Sequence, residues 1–163
     1  MPTPIRPGRD EDAPAFIALI ERCWSDYPGV HLHVDEEEPD LRALATHFAR
    51  QGGALWIAGN GIGMVATRPL PDGTWEICRV YVHPDHHGTG LARHLVSLAE
   101  THSGATGFEL WTDTRFIRAH RFYEKLGYRR DPSASGERAL GDRSNSREYR
   151  YTKTIVPLPS GGA

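Results

Sequence analysis

The stretch that decides the fold is Val80-Tyr81-Val82-His83-Pro84-Asp85-His86-His87-Gly88-Thr89-Gly90-Leu91-Ala92. Its first residues are β-branched or aromatic and predict a strand. Pro84 and Asp85 stop that strand. Gly88 and Gly90 then lead into Leu91-Ala92-Arg93-His94-Leu95-Val96-Ser97-Leu98-Ala99-Glu100, where apolar residues recur at helical spacing. Strand, glycine loop and helix N-terminus together make an anion site. Glycine lets the backbone come close, and the unpaired N–H groups with the helix dipole favour negative charge. The stretch therefore predicts a protein that holds a phosphorylated small molecule.

The loop is not a nucleoside-triphosphate loop, which needs Gly-Lys-Ser/Thr where this chain has Gly-Leu-Ala. It also lacks the three-glycine dinucleotide pattern at the start of a βαβ unit. A second informative stretch follows. Phe108 to Thr112 predicts a strand, and the segment after it ends in Ala119-His120-Arg121-Phe122-Tyr123-Glu124-Lys125-Leu126-Gly127-Tyr128. Ala119, Phe122, Tyr123 and Leu126 fall on one helical face. Gly127 suits the residue just past a helix C-terminus, and Tyr128 opens the next strand.

His87-Gly88-Thr89-Gly90-Leu91-Ala92 resembles the Gln/Arg-x-x-Gly-x-Gly/Ala signature of the GCN5-related N-acetyltransferases. The Ala-x-x-Phe-Tyr-Glu-Lys-Leu-Gly-Tyr segment resembles the helix after the fifth strand in the same family. The resemblance covers nearly the whole chain. It implies an α/β fold with a mixed, mostly antiparallel sheet that splays between its fourth and fifth strands, flanked by helices. It implies acetyl-CoA as acyl donor, its pantetheine arm paired with backbone of Val80 and Val82. The pyrophosphate is expected on the N–H groups of His87, Gly88, Thr89, Gly90, Leu91 and Ala92. Two positions depart from the family: His87 stands where Gln or Arg is usual, and Phe116 where Asn is frequent. The imidazole retains a donor for the phosphate, with a charge that changes near neutral pH.

Acyl transfer from a thioester to an amine needs a neutral amine, a donor for the developing oxyanion and a proton for the departing thiolate. Tyr123 is the expected proton donor, because a phenol stays protonated at neutral pH. Glu76 is the candidate base. Strand alternation puts it on one face with Cys78, Val80 and Val82, unless a bulge intervenes; the rival reading is a solvent-facing strand charge. Backbone N–H of Val80 or Val82 is the candidate oxyanion donor. Cys78 reads as a small buried residue rather than an acyl carrier. Trp24, Asp26 and Tyr27, in the connection after the first helix, are the expected substrate-side residues. The run Asp35-Glu36-Glu37-Glu38 has two readings: negative charge at a helix N-terminus, or a rim that attracts a cationic amine. Arg138 to Arg147 is a further segment expected to reach the site.

The function read from this is transfer of an acetyl group to a primary amine of a small molecule or an amino terminus, by direct attack. The alternative is a degenerate acyl-CoA-binding sensor or interaction module. Composition agrees with a globular enzyme: 39% apolar and 25% charged residues in 163. A net charge of −2 gives no electrostatic case for nucleic acid. No apolar run is long enough for a membrane span, and the N-terminus lacks a signal-peptide core, so a cytoplasmic location is expected. Cys23 and Cys78 make no disulfide framework. His83, His86 and His87 lack metal-ligand spacing, so no metal is expected. The sequence leaves the oligomeric state open, with a homodimer as one prior and no interface legible.

The remaining pattern predicts one domain over 1–156 and a flexible tail over 157–163. Strands are expected at 3–6, 54–58, 63–68, 75–82, 108–112, 128–131 and 148–156. Helices are expected from Asp12 through Trp24 and over 40–50, with loops at 25–38 and 132–147.

Overall fold

The computed structural model describes residues 2–155; the expected tail at 157–163 and Val156 lie outside them. Eight strands form one sheet: β1 (Ile5–Pro7), β2 (Ala54–Ala58), β3 (Gly63–Pro69), β4 (Trp75–Val82), β5 (Gly107–Asp113), β6 (Arg129–Arg130), β7 (Glu137–Ala139) and β8 (Arg147–Thr154). Their order is β1-β2-β3-β4-β5-β8-β6, with β7 also on β8. Every pairing is antiparallel except β4 with β5. That parallel pairing is confined to Trp75↔Phe108 and Glu76↔Glu109. Beyond Glu76 the two strands part, and the expected splay is there.

Among the described residues there are five α-helices: α1 (Ala13–Trp24), α2 (Val34–Glu37), α3 (Leu44–Arg50), α4 (Leu91–Ser103) and α5 (Ile117–Lys125). On one face α4 presents Leu91, Leu95, Val96 and Ala99 to Ile77, Val82, Phe108 and Leu110, with Tyr123 of α5 in the same cluster. On the other face Phe16, Leu19 and Ile20 of α1 join Leu44 and Phe48 of α3 over Leu55, Ile57, Met64 and Ala66. The 3.6-residue period of the helices and the two-residue period of the strands generate both apolar faces.

The register of β4 contains a bulge. Met64 pairs with Tyr81 and Ala66 with Cys78, so Arg79 and Val80 stand opposite Val65 alone. Arg79 takes the left-handed conformation, φ 53°, that the extra residue requires. The bulge inverts alternation. Ile77, Val80 and Val82 face the α4 side, and Cys78 and Tyr81 face the α1 side. Glu76 stays with Cys78, whose Sγ lies 3.2 Å from its carboxylate. The expectation of one shared face for Glu76, Cys78, Val80 and Val82 is thus corrected: the two valines are across the sheet.

Three further differences concern weakly patterned segments. The expected loop at 25–38 includes the single turn α2. The expected helix at 40–50 is a 3₁₀ turn, Pro39–Ala43, followed by α3, because Ala43 at φ −146°, ψ 55° breaks the helical path. The expected loop at 132–147 contains a 3₁₀ turn, Ala134–Gly136, and β7. Glu137-Arg138-Ala139 has no apolar alternation. It joins β8 through cross-strand ion pairs, Arg138 with Glu148 and Arg147 with Glu137 at 2.7 Å each.

Candidate active site

The glycine loop ends β4 and starts α4. A 3₁₀ turn over Pro84–His86 reverses the chain, and Thr89 Oγ1 donates to the His86 carbonyl at 2.7 Å. Gly90 is the N-cap of α4 at φ 85°. A Cβ at Gly90 meets nothing within 4 Å, so the requirement for glycine is the left-handed backbone, not a close protein neighbour. Among the described residues, the N–H groups of Gly88, Thr89, Gly90 and Ala92 meet no backbone acceptor. Leu91 N–H has only a long 3.4 Å contact to Thr89 Oγ1. His87 differs from expectation: its N–H already donates to the Pro84 carbonyl at 3.1 Å. The donor set available to an anion therefore begins at Gly88.

The imidazole of His87 is also committed. Val82 pairs with Gly63, while His83 N–H bonds the Ile62 carbonyl at 2.8 Å. By antiparallel alternation the N–H and C=O of Val82 point away from β3, toward the opening between β4 and β5. That carbonyl accepts from His87 Nε2 at 3.0 Å and from Cys23 Sγ at 3.4 Å. Burial, and then the nearby Arg118, pushes the His87 pKa down. In this structure the ring nitrogen donates to the strand carbonyl, where the sequence suggested a contact with phosphate.

Two cavities meet at this point. A groove of about 810 Å³ runs from Gly88, Gly90 and Ala92 along Val82 to Phe122. A second cavity of about 350 Å³ lies between α2, the bulge of β4 and the 138–148 segment. Trp24, Val80, Tyr81, Phe116, Ala119 and Tyr123 line both and form the neck between them. Tyr123 comes from α5 and is 7% exposed. Burial pushes its phenol pKa far above the ordinary value, so it is protonated. Tyr81 is pushed up to about 12 by burial, against the pull of Arg79. Phe116, at the N-cap of α5, packs on Tyr27 with ring centroids 4.6 Å apart. Of the three expected substrate-side residues, Trp24 reaches both cavities, whereas Asp26 and Tyr27 line the larger groove.

Glu76 lines the smaller cavity. Arg68 Nη2 lies 3.1 Å from each of its oxygens. The two residues are cross-strand partners in the β3–β4 hairpin, so register alone contained this ion pair. Arg79, on the bulge, bonds Glu38 and lies 3.2 Å from Asp40. Glu37 and Glu38 of the acidic run thus line the cavity with Asp40, while Asp35 and Glu36 do not, and Arg79, which sequence reasoning did not single out, anchors Glu38. On the opposite wall Arg115 grips Asp113 at 2.9 and 2.7 Å. Arg138 lies over Trp111 at 4.1 Å and pairs with Glu148. Burial pushes the Glu148 pKa up. Asp113, Glu148 and Tyr81 were missed because only the tertiary fold brings β5, β8 and the bulge together.

A family model described as the acetyltransferase (GNAT) family matches residues 15–128. A mycothiol acetyltransferase of Thermobispora bispora is 30% identical over 137 residues, 76% of this chain; the chain spans 44% of that relative's length. A GNAT-family acetyltransferase from Staphylococcus aureus superposes with TM-score 0.80 at 16% identity, covering 95% of this chain and 100% of the other. PaiA N-acetyltransferase of Thermoplasma acidophilum, solved in complex with coenzyme A, superposes with TM-score 0.72 at 18% identity, again over 95% and 100%. The matched residues run from α1 to the start of the segment after α5 and take in the glycine loop, the bulge and Tyr123, and on that ground the chain belongs to the GNAT acetyltransferase family.

Proposed function

We propose that this protein transfers the acetyl group of acetyl-CoA to a primary amine by direct attack. One observation carries the reading: a groove that starts at unpaired loop N–H groups and a second, charge-lined cavity open onto a shared neck that contains a buried, protonated tyrosine. A groove of that kind suits a long phosphorylated donor, and a separate cavity suits the acceptor.

In this reading Gly88, Thr89, Gly90, Leu91 and Ala92 hold the pyrophosphate with backbone N–H groups and the α4 dipole. The free edge of β4 at Val80 and Val82 orients the pantetheine arm. Val82 contributes its N–H, since His87 holds its carbonyl. Acetyl-CoA supplies the activated thioester. As the amine nitrogen bonds the carbonyl carbon, a strand N–H at Val80 or Val82 stabilises the oxyanion. As the C–S bond breaks, Tyr123 gives its proton to the sulfur. Glu76 takes the proton lost by nitrogen, directly or through water.

The experiment is calorimetric titration with acetyl-CoA and with CoA, followed by acetyl transfer to a panel of primary amines. Saturable binding with turnover supports the reading. Binding that follows ATP or NAD and ignores CoA overturns it. The Arg68 contact with both oxygens of Glu76 favours a second reading, a CoA-binding module without turnover, since both oxygens are already engaged. Tight CoA binding with no transfer to any amine would select that module.

A further inference from the structure

We propose that the ring of Phe116, propped by Tyr27, sets the length of the acyl group that this protein accepts on CoA. This rests on the acetyltransferase reading above, in which the thioester lies between the strand N–H groups at Val80 and Val82 and the Tyr123 hydroxyl. The carbons beyond the carbonyl must then fit among the other residues of the neck, Trp24, Tyr81, Phe116 and Ala119. None of the neck side chains is a carboxylate, an ammonium or a guanidinium. The space suits a short apolar group.

Phe116 differs from its five companions. Val80, Ala119 and Tyr123 belong to the core beneath α4, and Trp24 and Tyr81 to the core beneath α1. Phe116 belongs to neither, although phenylalanine is among the residues most often buried in a core. Its ring packs on Tyr27, which also lies outside both cores. The centroids are 4.6 Å apart and the rings are inclined at 44°, within the range of favoured aromatic pairs. The backbone beneath the ring is fixed as well. Phe116 N–H donates to the Asp113 carbonyl at 3.0 Å, and the Phe116 carbonyl accepts from His120 N–H at 3.1 Å. Tyr27 follows α1 and Phe116 caps α5, so the pair joins the α1 side of the donor groove to its α5 side.

A longer acyl chain has three directions, and each is costly. Toward the smaller cavity it sets methylene groups against charged side chains and removes their water without replacing the hydrogen bonds. Toward the larger groove it runs back onto the pantetheine arm. Sideways it meets the wall of the neck, and overfilling a fixed wall is unfavourable. The sizes of Trp24, Tyr81 and Tyr123 are constrained by the cores they help to fill. Phe116 is the large ring of the neck whose size neither core dictates, so it is the position at which acyl length is set.

The test is calorimetric titration of the full chain with CoA, acetyl-CoA, propionyl-CoA and butyryl-CoA, with no amine present. If acetyl-CoA does not bind, the acetyltransferase reading fails and this inference with it. If it binds, acetyl-CoA is expected to bind about tenfold or more tightly than butyryl-CoA, with propionyl-CoA between them. Phe116→Ala should bring the three acyl-CoAs within about threefold of one another, because the overfilled wall is gone. Phe116→Leu should give an intermediate spread, and it decides the matter if the alanine variant does not fold. Equal affinity of the unaltered protein for acetyl-CoA and butyryl-CoA overturns the inference and leaves the acetyltransferase reading standing. So does a spread that both Phe116 variants retain, even if they weaken CoA and all three acyl-CoAs alike. Tyr27 is a positioning residue here. Tyr27→Ala should narrow the spread, and Tyr27→Phe, which keeps the ring, should restore it; an undiminished spread in Tyr27→Ala overturns the part given to Tyr27.

Discussion

Tyr123 and His87 illustrate how burial decides the chemistry of single residues. Both carry groups able to give up a proton, yet each is held in its neutral form. Tyr123→Phe removes only a hydroxyl from a packed ring. It is expected to lower kcat by about 100-fold or more, the lower range for loss of a general acid, with acetyl-CoA affinity nearly unchanged; single-turnover rates and titration calorimetry check both. For His87 the folded pKa lies below the unfolded value of about 6.5. The folded state therefore binds fewer protons, and the stabilisation from this site is present above that pH and lost as pH falls through the folded value. Thermal unfolding across pH 5–8 (roughly the histidine window) should show an acid-side loss that His87→Gln reduces. An identical pH profile in the variant would remove His87 from the strand contact.

At the scale of elements, the β4 bulge and the α4 N-terminus do most to build the site. Arg79 occupies the bulge with its side chain 16% exposed, facing Glu38 and Asp40. Arg79→Ala leaves two carboxylates without their cation, and should cost about 3–5 kcal/mol in urea unfolding. Gly90 caps α4 in a left-handed conformation with open space beside it. Gly90→Val should therefore destabilise by only about 1–2 kcal/mol of backbone strain, while acetyl-CoA binding falls below detection. Unimpaired binding would mean that the loop does not hold the pyrophosphate.

For the molecule as a whole, the sheet separates two cores with different consequences for the groove. Leu95 belongs to the core beneath α4 and Phe16 to the core beneath α1. Leu95→Ala and Phe16→Ala should each cost about 2–5 kcal/mol by leaving a cavity. Only the first loosens the helix whose N-terminus lines the groove, so only it should also weaken acetyl-CoA binding. Denaturant melts and titrations on the same two variants separate these effects; equal losses of affinity would show that the cores are not independent.

The sequence by itself determined the strand, glycine loop and helix at 80–100, because apolar period, proline and glycine act over a few neighbouring residues. The helix with Tyr123 and the end signal at Gly127, φ 93°, were legible for the same reason. The Arg68–Glu76 pair was nearly so, since it follows from hairpin register. Tertiary structure alone decided that Arg79 and Val80 share one place opposite Val65, and with that which face each β4 side chain takes. It also decided that His87 turns back to the Val82 carbonyl, and that carboxylates from α2, β4, β5 and the 142–148 segment surround one cavity. The physical reason is range: backbone propensity is set by near neighbours, whereas a bulge, a burial-shifted pKa and a cavity wall depend on residues far apart in the chain that meet only when the sheet has formed.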